Sequence, residues 1–395
     1  MHIDIPSPVL HAIHRLNDAG YEAYIVGGCV RDSLMGNIPA DWDITTSALP
    51  EQTSEVFANF HTIDTGVQHG TVTVIIENMP LEITTFRVDG TYSDGRHPDE
   101  VTFTPSLEED LRRRDFTVNA MAYHPKHGIV DCFGGQEDIQ NQIIRCVGNP
   151  EERFNEDALR ILRAIRFAAV LNFSIESATA NAIHRLSANL QNVSIERITA
   201  EFKRLICAND VVLIMDEFRD VMGVFMPEIT SCDDFSLLSR VPEKIHVRLA
   251  ALFNSAAIDT DAAVGILKRM RFDRQTMKDV SLLLSFRIKD QLTEKQYFLR
   301  LLNHLGSELI FDYLAMKEAD PHTVLHAKKL LMEDPCYKVS MLAINGDDLL
   351  LLGIPAGPEI GFAMNELLNA VINGDCSNEK DALLSYWTTM KKPVQ

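Results

Sequence analysis

A glycine pair followed by two closely spaced aspartates limits what this chain can fold into more than any other feature of the sequence. Gly27 and Gly28 follow the apolar run Ala23–Val26, and Asp41 and Asp43 come shortly afterwards. The pattern predicts a strand, a glycine turn that lets the backbone approach a ligand, and a short helix whose first N–H groups are free. Because side chains at i and i+2 of a strand point to the same face, the two aspartates can hold a divalent metal together.

A third carboxylate, Glu82, interrupts the strand-like run Leu81–Thr85. An acid without a charge partner is costly in such an apolar run. Three acids from two strands can bind two Mg²⁺ ions, one at the attacking hydroxyl and one at a leaving pyrophosphate. We therefore predict Asp41, Asp43 and Glu82 as catalytic residues, Asp41 and Asp43 as metal ligands, and Mg²⁺ as the cofactor. Solvent-facing turn acids are the alternative interpretation of the aspartates.

Arginines dominate two later segments. Arg112, Arg113 and Arg114 are consecutive, and such clusters are commonly solvated surface charge. One of them, Arg114 by our prediction, can reach a phosphate with bidentate geometry. Residues 110–204 carry 13 Lys and Arg against 12 Asp and Glu, in a chain whose net charge is −19. Any surface that faces phosphate is therefore expected in this segment.

The segment Glu156–Val170 has the spacing of an amphipathic helix, with Arg160 and Arg163 opposite its apolar stripe. Asp157 stands three residues before Arg160, and the pair could be a salt bridge on a solvated face. It could also read a base, because a carboxylate accepts from an exocyclic amino group while a guanidinium donates to the neighbouring ring nitrogen. Cytosine and adenine offer that donor and acceptor side by side, whereas uracil and guanine do not. The pair therefore predicts selection of C and A.

Hydrophobic periodicity predicts an α+β fold: an N-terminal head with a mixed β-sheet, followed by an all-helical remainder from Glu151 onward. The polar segment 88–98 is predicted to be a mobile loop. No apolar run is long enough to span a membrane and no signal peptide is evident, so we expect a cytoplasmic chain that does not contact membranes. The predicted strands are Ala23–Val26, Trp42–Thr45, Thr71–Ile76 and Leu81–Thr85.

Three motifs follow one another along the first 167 residues. They are Gly27-Gly28-x-Val30-Arg31-Asp32 with Asp41-x-Asp43, Arg113-Arg114-Asp115-Phe116-Thr117-x-Asn119-Ala120, and Glu156-Asp157-x-x-Arg160-x-x-Arg163-x-x-Arg166-Phe167. In this order they resemble one family, the class II (bacterial-type) tRNA nucleotidyltransferases. These CCA-adding enzymes belong with the poly(A) polymerases in the DNA polymerase beta-like nucleotidyltransferase superfamily. Segments 196–201 and 344–361 resemble the neck and tail of the bacterial members.

The resemblance implies a catalytic head (1–140), a neck with the base-reading helix (141–210), a helical body (211–320) and a tRNA-binding tail (321–395). It implies that C, C and A are added without a template to the 3′ end of tRNA, from CTP and ATP, with release of pyrophosphate. The acceptor arm of tRNA would be the partner. By position, Asp41 and Asp43 would bind Mg²⁺. Nucleotide-binding roles would fall to Gly28, Arg31 and Arg114 at the triphosphate, to Asp157 and Arg160 at the base, and to Arg163 and Arg166 around the pocket.

Three alternatives remain open at this point. The same chemistry serves enzymes that add only A or only CC. In the family that the chain resembles, members that add only CC are shortened at the loop that corresponds to 88–98, so the presence of this segment favours complete CCA addition. A poly(A) polymerase is a second alternative, and a non-catalytic tRNA-binding module a third. Intact acids at Asp41, Asp43 and Asp157 speak against the last of these. The oligomeric state, monomer or homodimer, is not fixed by the sequence.

Overall fold

The structure, a computed structural model, describes residues 3–63, 66, 70–90, 101–287 and 292–390. The chain divides into two compact units, residues 1–231 and 232–395. The first unit holds the sheets and the second is helical, so the predicted α+β class is confirmed. Among the described residues, no helix has both the length and the apolar character that crossing a bilayer requires.

The first unit is built on one seven-stranded sheet and carries two smaller two-stranded sheets. The strands are β1 Ala23–Val26, β2 Asp43–Thr46, β3 His61–Ile63, β4 Thr71–Ile76, β5 Met79–Thr85, β6 Arg87–Asp89, β7 Val101–Phe103, β8 Met121–His124, β9 Gly128–Asp131, β10 Ile143–Ile144 and β11 Ser174–Ile175. The strand order of the large sheet is β3-β4-β5-β2-β1-β8-β9, and the small sheets are β6-β7 and β10-β11. The predicted strands Ala23–Val26 and Thr71–Ile76 are confirmed to the residue.

The centre of the main sheet places the predicted acids. Strand β2 runs parallel to β5, and the ladder between them begins with Asp43 opposite Glu82. The predicted strand Trp42–Thr45 is therefore shifted by one residue, and Asp41 lies just before the strand. Exposure still alternates from Asp41 to Ile44, with Trp42 and Ile44 buried between exposed acids. Asp41 and Asp43 thus face the same side, as the period of two predicts.

Apolar side chains cover the opposite face. Ile25 of β1, Ile44 of β2 and Ile83 of β5 are almost completely buried, and they form one core with the helix Ser7–Asp18. The helices of the first unit are α1 Ser7–Asp18, α2 Gly28–Leu34, α3 Pro50–Val56, α4 Leu107–Arg112, α5 Gly135–Gln140, α6 Pro150–Glu156, α7 Leu159–Leu171, α8 Ser177–Leu186, α9 Ile195–Ile206, α10 Val211–Glu217 and α11 Arg219–Gly223.

The second unit is described with helices only, and the longest of them is interrupted at Gly306, whose φ of 77° is left-handed. The helices are α12 Leu237–Arg240, α13 Ile245–Ser255, α14 Thr260–Arg269, α15 Arg274–Ser285, α16 Glu294–Met316, α17 Pro321–Met332, α18 Gly346–Leu351, α19 Pro358–Asn373 and α20 Lys380–Met390.

Besides the shifted strand β2, two other predicted segments differ from the structure. The helix Glu156–Val170 is broken at its start, because Asp157 adopts an extended backbone (φ −142°, ψ 104°) between α6 and α7. Its carboxylate accepts a hydrogen bond from the Leu159 N–H at 3.0 Å, which satisfies a donor in the first turn of α7. The predicted loop 88–98 is wrong at Val88 and Asp89, which lie in β6, and residues 91–98 lie outside the described residues.

Candidate active site

The glycine turn after β1 lies beneath two guanidinium groups. Gly27 has a φ of 81°, a conformation that a residue with a side chain adopts only under strain, and α2 begins at Gly28. A Cβ atom added at Gly27 would stand 3.1 Å from Nη1 of Arg114, and one added at Gly28 would stand 3.7 Å from Nη2 of Arg31. The turn therefore combines close backbone approach with two fixed positive charges, which suits a polyanion such as a triphosphate.

Arg31 is held rigidly in that position. Its Nε donates to Asp32 at 2.9 Å and its Nη1 donates to the side-chain oxygen of Asn119 at 2.6 Å. The guanidinium also lies 5.2 Å from the centre of the Phe167 ring, within the range of a cation–π contact. The side chain is largely buried, so its orientation is set before any ligand arrives.

Arg114 is held by Asp110, whose carboxylate is completely buried. Nη2 of Arg114 donates to Oδ2 of Asp110 at 3.3 Å, while Arg113 binds the other oxygen through Nε and Nη2. Burial by itself raises the pKa of Asp110, but the charges of Arg114 and Arg113 outweigh it and the net pKa is lowered. Nε of Arg114 is buried and has no hydrogen-bond partner among the described residues. A phosphate oxygen could accept a hydrogen bond from this N–H group.

The three predicted catalytic acids act electrostatically on one another. Although Asp43 keeps some exposed surface, desolvation raises its pKa, and the nearby charges of Glu82 and Asp41 raise it further, against the opposing charge of Arg114. Carboxylates that repel one another in this way fit a bound cation, and their oxygens are hard ligands. In the part of the chain that the structure describes, no three His, Cys, Asp or Glu side chains are grouped tightly enough to hold a metal alone. The arrangement fits an ion that two carboxylates share with phosphate oxygens.

A cavity of about 280 Å³ adjoins Arg114. This volume lies just below the usual range for ligand pockets, about 300–1,000 Å³, and suits a small ring system better than a whole nucleotide. Four of its lining residues are predicted nucleotide-binding residues, whereas Arg166 is not among the described residues that line it. The cavity is lined by Arg114, Asp115, Asp157, Leu159, Arg160, Arg163 and Arg197.

Asp157 and Arg160 both line this cavity, and each is bound to a different partner. Oδ2 of Asp157 accepts from Nη2 of Arg197 at 2.7 Å. Arg160 binds the Glu156 carboxylate and donates to the Arg113 carbonyl at 3.2 Å. The structure pairs Asp157 with Arg197 and Arg160 with Glu156, and each pair orients one polar group of the cavity wall.

Behind the cavity, a buried carboxylate organises the remaining arginines. Asp115 accepts from Nε and Nη2 of Arg163 at 2.9 and 2.6 Å and from the Asn119 side chain at 3.3 Å. Burial opposes ionisation of Asp115, but Arg163 outweighs it and lowers the pKa of Asp115 to about 2. Arg166 pairs with Glu201 at 2.5 Å and lies 3.8 Å from the centre of the Phe167 ring. Because Asn119 also binds Arg31, the network connects the cavity to the glycine turn.

The sequence analysis missed Asp110, Asp115, Arg197 and Glu201 as members of this site. Each stands in or beside a motif that was recognised, so position was the available signal. What the sequence could not supply was the pairing, because Asp157 and Arg197 are 40 residues apart and Arg163 and Asp115 are 48 apart. Such pairs form only when the helices pack.

Comparison with known proteins identifies the family. CCA-adding enzymes of Leuconostoc mesenteroides and Enterococcus faecalis are 36% and 38% identical to this chain, and the matches cover 94% and 95% of it and 93% of each relative. The chain belongs to the CCA-adding enzyme family. It is therefore a nucleotidyltransferase, and the predicted family and enzyme class are confirmed.

Individual segments and the whole fold agree with this assignment. Residues 23–145 match the family described as "Poly A polymerase head domain", residues 172–232 the family described as "Probable RNA and SrmB-binding site of polymerase A", and residues 242–387 the family described as "tRNA nucleotidyltransferase domain 2 putative". The crystal structure of a Bacillus stearothermophilus CCA-adding enzyme in complex with CTP has a TM-score of 0.84 and 31% identity, covering 98% of this chain and 99% of that one. A Thermotoga maritima CCA-adding enzyme complexed with tRNA matches at 19% identity and a TM-score of 0.68, which shows the shared fold.

Proposed function

We propose that this chain adds C, C and A to the 3′ end of tRNA from CTP and ATP, without a template and with release of pyrophosphate. The observation that supports the proposal most is the position of Arg114. Its guanidinium lies over the glycine turn and also lines the cavity that contains Asp157 and Arg160. One nucleotide could therefore extend its triphosphate over the turn and its base into the cavity. The CTP complex of the Bacillus stearothermophilus relative supports the same ligand class.

The roles of the phosphate-binding residues follow from charge and position. Arg31 and Arg114 neutralise the triphosphate, and Gly27 and Gly28 let the backbone approach it. Because both guanidiniums are already held by buried or half-buried acids, little side-chain entropy is lost when the nucleotide binds. The leaving pyrophosphate carries more negative charge than the bound ester oxygens, so the same two guanidiniums favour its departure.

Asp41 and Asp43 are proposed to hold Mg²⁺ with the triphosphate, and Glu82 is proposed to act beside them. Bound Mg²⁺ would lower the pKa of the attacking hydroxyl and stabilise charge on the leaving group. In the reaction, the 3′ oxygen of tRNA forms a bond to the α-phosphorus, the bond from that phosphorus to the pyrophosphate oxygen breaks, and the hydroxyl proton leaves. The support from the chain is that Asp43 begins β2 beside Glu82 of β5, with Asp41 just before the strand and the charge of Arg114 acting on Asp43.

Base selection is proposed to rest on Asp157 and Arg160, with Arg163 and Arg166 completing the surroundings of the pocket. The Asp157 carboxylate accepts from the amino group of cytosine or adenine, and the Arg160 guanidinium donates to the adjacent ring nitrogen. A uracil or guanine in the same position would leave a carbonyl oxygen facing a carboxylate, and that unpaired contact costs binding free energy. The Arg197 guanidinium, 2.7 Å from Oδ2 of Asp157, holds that carboxylate in its orientation.

The proposal includes a division of labour along the chain. We assign catalysis to residues 1–140, base recognition to 141–210, and contacts with the acceptor arm of tRNA to the helical segments 211–320 and 321–395. Since tRNA and nucleotides are its substrates, the enzyme is proposed to act in the cytoplasm.

The proposal is tested with three purified RNAs: tRNA that ends at the discriminator base, tRNA that ends in C and tRNA that ends in CC. Mg²⁺ is present in every reaction. CTP and ATP are supplied first separately and then together, and the products are resolved by length. We expect CTP alone to extend the first two RNAs to CC, and ATP to extend only the third by one residue. Addition of A alone, addition of CC alone, or a long A tail would each replace complete CCA addition by one of the alternative activities. No extension of any RNA would refute the enzymatic proposal.

A further inference from the structure

Asp110 is a fully buried carboxylate in helix α4, and the reaction as proposed gives it no direct part. Its Oδ1 accepts from Nε and Nη2 of Arg113 at 3.0 and 2.8 Å. Its Oδ2 accepts from Nη2 of Arg114 at 3.3 Å and from the Thr45 hydroxyl at 3.2 Å. Taking a carboxylate out of water is costly, so a chain that retains one in its interior must satisfy it with donors such as these.

The Thr45 contact connects Asp110 with the face of the sheet that carries the catalytic acids. Thr45 follows Asp43 by two residues in β2, so the two side chains point to the same face. In the neighbouring strand β5, Thr84 lies opposite Thr45 as Glu82 lies opposite Asp43. Asp110 therefore contacts this face about 6.6 Å along the strand from the position of Asp43.

Asp110 itself is unsuited to binding a metal ion or a substrate. It has no exposed surface, and two guanidiniums already occupy its oxygens. The same contacts lower its pKa in spite of burial, so the group is ionised at neutral pH. Asp110 thus presents a fixed negative charge whose contacts reach Arg114 on one side and the strand of Asp43 on the other.

We propose that Asp110 is a positioning residue for nucleotide binding, which fixes the Arg114 guanidinium between the glycine turn and the strand that carries Asp43. The inference rests on the proposed function, because it requires Arg114 to contact the triphosphate. Without the Asp110 carboxylate, Arg114 keeps its charge but loses its anchor, and its guanidinium samples positions away from Gly27. The displacement of Arg114 is then the only reason that CTP binds more weakly.

The test compares Asp110→Asn, Arg114→Ala and the double variant with the wild type. Asparagine has the shape of aspartate but lacks its charge, and a charge-assisted hydrogen bond contributes enough to binding that we expect about a 10-fold rise in the dissociation constant for CTP. Equilibrium dialysis with labelled CTP and Mg²⁺ measures this directly. In steady-state assays with tRNA, KM for CTP should rise about as much while kcat changes less.

Glu108→Gln is the matched control. Glu108 lies on the same helix and binds Arg112 in an exposed pair, so the change removes a carboxylate–arginine contact that involves neither Asp110 nor Arg114. We expect CTP binding by this variant to stay within about twofold of the wild type, because exposed pairs contribute little.

The double variant separates positioning from a general loss of structure. If Asp110 acts through Arg114, Asp110→Asn has no further effect on CTP binding in the Arg114→Ala background. Full additivity, or wild-type binding by Asp110→Asn, would overturn the inference. If Asp110→Asn fails to fold, Thr45→Val takes its place: it removes one hydrogen bond to Asp110, and we expect weaker CTP binding that disappears in the Arg114→Ala background. Unchanged binding by Thr45→Val would then overturn it.

The two levels of the proposal fail in different ways. A wild-type chain that binds CTP but extends no tRNA would refute the proposed function, while the dialysis series would still decide the role of Asp110. A wild-type chain that extends tRNA together with an unaffected Asp110→Asn variant would refute the inference alone.

Discussion

Replacing Asp115 by Asn should destabilise the first unit by an amount that the structure allows us to calculate. The Arg163 contacts lower the pKa of Asp115 from 3.8 to about 2 in the folded chain. A pKa difference of this size between unfolded and folded states corresponds to about 2 kcal/mol of stability at neutral pH. Removing one partner of a buried ion pair can cost about 3–5 kcal/mol, but Arg163 is 34% exposed and can recruit water. We therefore expect a loss of about 2–3 kcal/mol.

The pH dependence gives this prediction a definite sign. Because the folded pKa is depressed, the stabilisation is fully present above about pH 4 and is lost as the pH falls towards 2. The difference between the wild type and Asp115→Asn should be constant between pH 7 and pH 5 and should shrink below about pH 4.

Tryptophan fluorescence can follow the first unit by itself. The chain has two tryptophans, Trp42 in the first unit and Trp387 in the second. In a Trp387→Phe background, urea unfolding monitored at Trp42 reports the first unit, and Glu108→Gln serves as a control that should stay within about 0.5 kcal/mol. A difference below about 0.5 kcal/mol at pH 7, or one that grows as the pH falls, would refute the reasoning.

Three further predictions concern catalysis and binding. Asp41→Ala should abolish nucleotide incorporation while tRNA binding, measured by filter retention, is largely kept; wild-type activity in this variant would remove the metal assignment. Asp157→Ala should reduce the preference for C and A over U and G by about 10-fold to 100-fold in competition assays, since it removes a charge-assisted hydrogen bond, and unchanged selectivity would count against the pairing scheme. Gly27→Ala should strain the backbone by about 1–2 kcal/mol and displace Arg114, so both the melting temperature should fall and KM for CTP should rise; an unchanged KM would show that Arg114 does not need its position over the turn.

The sequence predicted those parts of the site that depend on short-range geometry. A strand repeats every two residues, so the spacing of Asp41 and Asp43 was enough to place both on one side, although β2 begins only at Asp43. The glycine turn and the start of α2 likewise depend only on residues that are neighbours in the sequence, so the sequence could predict them. For the three consecutive arginines, however, the sequence favoured Arg114 without showing what each side chain contacts. In the structure Arg112 pairs with an exposed glutamate, whereas Arg114 lies over Gly27.

Helix α7 shows where local reasoning failed. The helical spacing of this segment predicted one helix over Glu156–Val170, and it left both a salt bridge and a base-reading role open for Asp157 and Arg160. In the structure the backbone at Asp157 is extended, and its carboxylate binds Arg197 from α9. A periodic pattern describes which face of a helix is apolar, and it carries no information about a partner on another helix.

The sequence by itself determined the fold class, the family and the chemical types of the site residues, because strand and helix periods, turn glycines and motif order all act over a few residues. The tertiary structure decided which charges meet. Asp110 and Asp115 both lie beside the same run of arginines in the sequence. In the folded chain Asp110 pairs with Arg113 and Arg114, whereas Asp115 pairs with Arg163. Electrostatic pairing depends on distances of a few ångströms between segments far apart in the chain, and only the packing of helices against the sheet sets those distances.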